Sequence, residues 1–181
     1  YYGGWKEIVA PKYEKHNIYR AAITAAGAEP IYSKIPIRSM KDFKGLRMRV
    51  TGAAATFFGK KLGVSVTTLP GPELYTALKL GTIDALEYSS GAYDYDLGLH
   101  QVTKYIILPH YIGAVPIDFL VNLKAYKELP EDIRTAFDMT CTWAEQYITY
   151  MTEKDSKIAI QKMIKEGPME VIYLPSEDVA K

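Results

Sequence analysis

The chain has 181 residues, 48% hydrophobic and 24% charged, enough to bury one sizeable core, or one full lobe and part of another. A net charge of +1 gives no field that would recruit nucleic acid or an anionic membrane surface, and no run approaches the roughly 18 apolar residues of a membrane span. The single cysteine, Cys141, excludes an internal disulfide and reads as a buried small hydrophobe within a helical pattern.

The opening residues Tyr1-Tyr2-Gly3-Gly4-Trp5 carry no initiator Met, charged n-region or apolar h-region, so the chain reads as starting mid-protein. Trp5 to His16 suggests a helix fragment that Pro11 weakens, and Tyr19 to Ala26 a small-residue strand. Glu29 to Ile37 reads as extended, held by Pro30 and Pro36. Leu46 to Val66 reads as strand, helix, strand, with Ala53, Phe57 and Leu62 on the helix's apolar side and Gly63 as its stop. Leu69-Pro70-Gly71-Pro72 then turns sharply into a helix carrying Leu74, Leu78 and Leu80, ended by Gly81. Asp84 to Tyr88 is a short strand, broken by Ser89-Ser90-Gly91 before the aromatic and acidic stretch Tyr93-Asp94-Tyr95-Asp96. Lys104 to Leu108 and Pro116 to Leu123 are further strands.

The last third is one long helix. Pro130, Glu131 and Asp132 make its first turn, and Ile133, Phe137, Ala144, Ile148 and Met151 form an apolar stripe that resumes at Ile158 and Met163. Unbroken to Glu166 it would measure about 54 Å, which predicts either a kink near Asp155-Ser156 or a run along two lobes. A scaffold role is the plain reading, and a homodimer contact the alternative. Met169 to Leu174 reads as a final strand.

The segment with most chemistry is Leu46 to Gly52. Leu46, Met48 and Val50 alternate with Arg47 and Arg49, so one face is buried and both guanidiniums project away from the core. Arg49 sits at the carboxyl end of this strand, just before Gly52 and a helix start whose unpaired N–H groups are partly positive. A fork of donors beside a helix N-terminus suits a carboxylate. Alternating strands and helices predict an α/β lobe with a mainly parallel sheet, where ligands lie outside the carboxyl ends of strands. Arg49 and Glu87 both occupy such ends.

Several blocks resemble one known family in order. Ser33-Lys34-Ile35-Pro36-Ile37-Arg38-Ser39 leading to Asp42-Phe43-Lys44-Gly45-Leu46-Arg47-Met48-Arg49 is the first. Leu69-Pro70-Gly71-Pro72-Glu73-Leu74-Tyr75 running to Gly81-Thr82-Ile83-Asp84-Ala85-Leu86-Glu87-Tyr88 is the second, and Val121-Asn122-Leu123-Lys124-Ala125-Tyr126 to Leu129-Pro130 the third. Together they resemble the DctP-like solute-binding proteins of tripartite ATP-independent periplasmic (TRAP) transporters, nearest the α-keto-acid and lactate branch.

The resemblance implies a periplasmic receptor, not an enzyme. It would bind a small organic acid in a cleft between two lobes and deliver it to the TRAP membrane subunits. It implies a two-lobed, type II-like α/β binding-protein fold, of which this chain holds mainly the second lobe and a long connecting helix. Residues 1–33 would belong partly to the first lobe, 34–122 would form the second, and 123–181 would link them. By position, Arg49 matches the arginine that pairs with the ligand carboxylate, and Gly52 and Ala53 match the helix start beside it. Glu87 and Tyr88 match a Glu-Trp cleft pair, in which the Glu also helps hold a cation, calcium or sodium, bridging to the ligand. A glutamine that shares this ion is replaced here by Ala28, with Glu29 next to it as the available substitute. Tyr111 lies where the family places a second aromatic or histidine, with core packing as the other reading.

Other classes fit less well. The three histidines lack metal spacing. Lys34, Arg38, Lys41, Lys44 and Arg47 read as a solvated face rather than a steering patch. Val50-Thr51-Gly52-Ala53-Ala54-Ala55 and the Tyr75/Lys79 pair suggest an NAD(P)-dependent short-chain oxidoreductase, but Thr56 and Phe58 stand where pyrophosphate needs glycines. A carboxylate-sensing module outside transport is the remaining alternative.

Overall fold

A computed structural model of the chain describes residues 5–112, 115–167 and 169–179. In chain order the elements are α1 (Trp5–Glu14), β1 (Ile18–Ala25), β2 (Glu29–Ser33), β3 (Arg47–Arg49), α2 (Gly52–Leu62), β4 (Ser65–Thr67), α3 (Gly71–Leu80) and β5 (Ala85–Glu87). They continue with α4 (Gly91–Asp96), β6 (Tyr105–Ile112), β7 (Pro116–Asn122), α5 (Leu123–Lys127), α6 (Glu131–Glu166), β8 (Glu170–Tyr173) and α7 (Ser176–Val179). The strands and helices expected from periodicity are present.

The packing groups the chain into two compact units, Tyr1–Ala26 with Val115–Met151, and Gly27–Ala114 with Thr152–Lys181. This differs from a division at 33/34 and 122/123 for a reason visible in the pairing. Strand β2 joins β5 and β6 in the second unit, whereas β7 pairs antiparallel with β1 in the first. The long helix α6 contributes to both.

In the second unit six strands lie in the order β4-β3-β5-β2-β6-β8. Pairs β3/β4, β3/β5 and β6/β8 are parallel, while β2 runs antiparallel to both its neighbours. Both faces of the sheet are covered, as its alternation requires. Ile31, Met48, Ala85 and Ile107 pack with Phe43 and Phe58 on one side. Their neighbours Tyr32, Leu86 and Ile106 pack with Leu74, Leu78 and Met163 on the other.

Three helices differ in detail from the sequence expectation. In α2 the core side is Ala54, Ala55, Phe58 and Leu62, with Ala53 and Phe57 exposed. In α3 Leu74, Ala77 and Leu78 are buried, but Leu80 at the last turn is exposed, just before the left-handed cap Gly81. In α6 the buried positions are Glu145, Ser156, Ala159 and Met163, while Ile133 and Ile158 are exposed. That helix is one continuous element from Glu131 to Glu166. Cys141 is half-buried rather than buried.

The first unit is held by polar latches. Glu145 on α6 accepts from the Ile23 main-chain N–H (2.8 Å), and the Thr149 hydroxyl from that of Ala25 (3.1 Å). Asp138 accepts from the hydroxyls of Tyr19 (3.0 Å) and Tyr126 (2.6 Å), whose rings stack at 3.8 Å.

A candidate carboxylate site at the strand ends

The topology brings three charged side chains together. Strands β3 and β5 are parallel neighbours, with Arg49 opposite Leu86, so Arg49 and Glu87 end their strands at the same edge of the sheet. Strand β2 runs the other way with Ile31 opposite Glu87, which puts its first residue, Glu29, at that edge as well.

Arg49 is buried, only 7% exposed, so the expectation of two outward guanidiniums holds for Arg47 alone. Arg47 is half-exposed and grips Asp84 through Nε (3.0 Å) and Nη2 (2.5 Å). Arg49, two residues on, is roofed by groups at and beyond the ends of the neighbouring strands. Its Nε donates to the Leu69 carbonyl (3.3 Å), beyond β4, and its Nη1 to the Glu87 carbonyl (2.6 Å). The Tyr88 ring lies over the guanidinium, 4.6 Å from its carbon. Main-chain carbonyls orient the fork without neutralising it. The nearest carboxylate oxygen, Glu87 Oε1, is 3.8 Å away.

The acids around Arg49 outnumber it. Glu29, Glu87 and Asp94 are all buried, and Glu87 Oε2 and both Asp94 oxygens make no hydrogen bond among the described residues. Burial first, then the Glu87 carboxylate and Asp94, push the Glu29 carboxyl up to about 8, against the pull of Arg49. Burial and Glu87 likewise push Asp94 up to about 8, opposed by Tyr32, Arg49 and the Ser89 main chain. At pH 7 Glu29 and Asp94 are then largely neutral, which lowers the large cost of burying several carboxylates together. The Tyr32 hydroxyl is buried beside that carboxyl and held well above its ordinary pKa by burial and by Asp94.

Among the residues expected from sequence, the structure brings Glu29, Arg49, Glu87 and Tyr88 together. Gly52 and Ala53 begin α2 three residues beyond Arg49 and are exposed, with Gly52 at φ 63° and its Thr51 cap making no side-chain bond to the helix start. The side chain of Tyr111, on β6, lies outside the described residues. Three participants escaped sequence reasoning: the Leu69 carbonyl, Tyr32 and Asp94. Asp94 stood in an aromatic and acidic stretch to which the sequence reading gave no role. The clue was Gly91 three residues earlier, where a Cβ would lie 2.9 Å from Ile160 and 3.0 Å from the Ser156 carbonyl, drawing α4 into the core.

Other predicted features settle as surface. Lys34 donates to the Leu78 carbonyl (2.9 Å) and Arg38 pairs with Glu170 (2.8 Å), so the basic run is partly tied down. Lys79 lies over the Tyr75 ring on α3, 5.8 Å from its centre. No group of three His, Cys, Asp or Glu side chains among the described residues is arranged to hold a metal ion by itself.

Residues 2–181 match the family described as bacterial extracellular solute-binding protein, family 7 (DctP). The chain belongs to that family. It is 34% identical over 158 residues to a monocarboxylate 2-oxoacid-binding periplasmic protein of Nostoc, covering 86% of this chain and 43% of that one. A TRAP transporter solute-binding protein of Bordetella bronchiseptica, whose crystal is a mixed-occupancy dimer with copurified calcium and picolinate in one active site, matches with 30% identity and a TM-score of 0.84. The match covers 99% of this chain and 54% of that one. A TRAP solute-binding protein of Chromohalobacter salexigens with bound (S)-(+)-2-amino-1-propanol matches with 28% identity and a TM-score of 0.81, over 97% and 54%. The chain therefore spans about half the length of these relatives. The mixed α/β fold, with its mostly parallel sheet and long helix, is that of TRAP periplasmic binding proteins.

Proposed function

We propose that this chain is the carboxylate-anchoring part of a periplasmic solute receptor, which binds a small organic acid and delivers it to TRAP membrane subunits without chemical conversion. One observation carries the reading. Arg49 is a buried guanidinium at the ligand-side edge of an α/β sheet, hydrogen-bonded to two main-chain carbonyls and only loosely paired with Glu87 Oε1 at 3.8 Å. The ligand's carboxylate would pair with this fork, with the Tyr88 ring beside it and the exposed start of α2 at Gly52 and Ala53 supplying further N–H groups. A 2-oxo or 2-hydroxy monocarboxylate is the favoured class, in line with the Nostoc relative. The two-lobed form, with the ligand held between lobes, belongs to this proposal.

A bridging cation, calcium or sodium, is compatible with the donors present. Glu87 Oε2 is buried with no hydrogen-bond partner among the described residues, and Glu29 stands against it, next to Ala28, which holds the place of the branch's glutamine. The ligand's own oxygens would have to complete the coordination. Such an ion, when bound, supplies positive charge between the ligand and the acids. A homodimer through α6 also stays within the proposal, supported by the exposed Met139, Trp143, Tyr147 and Tyr150 along it.

The three acids favour one second reading, a cationic ligand, of which the Chromohalobacter relative's amino alcohol is an example. Thermal shifts of the full-length protein separate the two. The panel is pyruvate, lactate, picolinate and 2-amino-1-propanol, each with and without calcium. At a hundredfold excess over Kd a true ligand adds about 2.7 kcal/mol. Shifts from acids support the carboxylate reading, and a shift from the amine alone replaces it.

A further inference from the structure

Leu69-Pro70-Gly71-Pro72 turns the chain into α3, and glycine in such a turn ordinarily serves a left-handed backbone. Gly71 does not. The described glycines with positive φ are Gly27, Gly45, Gly52, Gly63, Gly81 and Gly98, so the backbone at position 71 has no conformational need for glycine. What it lacks is room. A Cβ built on Gly71 would overlap the Tyr88 hydroxyl oxygen and lie 2.7 Å from the ring's Cζ and 3.2 Å from Cε1.

The same ring covers Arg49, 4.6 Å from the guanidinium carbon, and leans on Tyr93 with ring centres 5.8 Å apart. Its far end is therefore seated on the bare Cα of Gly71. A methyl group there meets the tip of a side chain that can rotate, rather than fixed main chain. The inexpensive response is for the Tyr88 ring to swing away, leaving the fold intact and the guanidinium uncovered.

We infer that Gly71 is a positioning residue, which seats Tyr88 over Arg49 and so keeps the carboxylate anchor covered. The effect on binding rests on the carboxylate reading above. The effect on the ring does not.

The experiment therefore has two arms on the full-length protein. In the first, the Arg49 Nε–H signal, identified in ¹⁵N NMR spectra by its loss in Arg49→Lys, reports the ring above it through the ring-current shift. Gly71→Ala and Tyr88→Ala should each move this signal the same way, and the double variant no further. An unmoved signal in Gly71→Ala overturns the inference. Should Gly71→Ala fail to fold, the double variant with Tyr88→Ala decides: restored folding supports the clash, and continued failure places the need for glycine elsewhere.

In the second arm, calorimetric titration with pyruvate should show Gly71→Ala losing affinity by the same factor as Tyr88→Ala, with no multiplication in the pair. Multiplied losses would mean that Gly71 acts independently of Tyr88 and would overturn the inference. If the wild type takes up no acid at all, the carboxylate reading falls, and the first arm still judges Gly71.

Discussion

The two units solve the same problem, holding a sheet together, by different means. The second buries Tyr32, Phe43, Phe58, Leu74, Leu78, Leu86 and Ile106 almost completely on two faces of its sheet. The first buries chiefly Val9, Ala21, Ala22 and Thr24, leaves Ile117, Phe119, Leu120, Met139 and Trp143 exposed, and fastens β1 to α6 with hydrogen bonds from β1 donors to Glu145, Thr149 and Asp138. A dense apolar frame can carry buried, underpaired acids and an arginine at its edge, because the surrounding packing offsets their cost. That is where the candidate site lies.

The contrast can be broken by four measurements. Leu86→Ala, in the middle of the second unit's sheet, should cost about 2–5 kcal/mol in denaturant unfolding. A cost below about 1 kcal/mol would mean that the frame is not what holds this unit.

A second test uses pH. Glu29 and Asp94 ordinarily titrate near 4.5 and 3.8 and stand at about 8 in the folded chain. Their native state binds more protons than the unfolded chain between those values, so their contribution is full below about pH 4 and fades as pH rises to 8. Stability should therefore fall between pH 5 and 8, and Asp94→Asn should flatten the fall and raise the melting temperature at pH 8. A profile that rises over that range, or an Asp94→Asn variant less stable at pH 8, would contradict the buried, protonated carboxyl. Asp42 and Asp84, held low by hydrogen bonds, matter only at more acid pH.

In the first unit, Glu145→Ala removes the acceptor of the Ile23 N–H from a buried position and should cost about 1–3 kcal/mol. The smallest effect belongs to Trp143→Ala, at a side chain 60% exposed and stacked on Tyr147 at 4.5 Å. It should stay within about 0.5 kcal/mol for the isolated chain. A larger loss in the full-length protein would show that additional chain or a second copy covers this face.

Much of the fold was legible because strand alternation, Gly63 and Gly81 as helix stops and Pro72 at a helix start are local signals. Arg49 and Glu87 were legible as strand ends for the same reason. What escaped is set by packing between distant segments. The α2 face was off by one residue because Phe57 and Phe58 are equally apolar and only the sheet beneath chooses between them. Arg49 differs from Arg47 only in what roofs it, namely the loop carbonyl of Leu69, the Glu87 carbonyl and the Tyr88 ring. Asp94 is buried because Gly91 lets α4 close on Ser156 and Ile160, over sixty residues away in sequence.

The central claim is that Arg49 anchors a carboxylate, and calorimetric titration of the full-length protein with pyruvate, wild type against Arg49→Ala, tests it most directly. Removing the partner of a largely desolvated carboxylate should cost several kcal/mol, at least about a thirtyfold loss of affinity. Equal affinities in the two proteins would contradict the account.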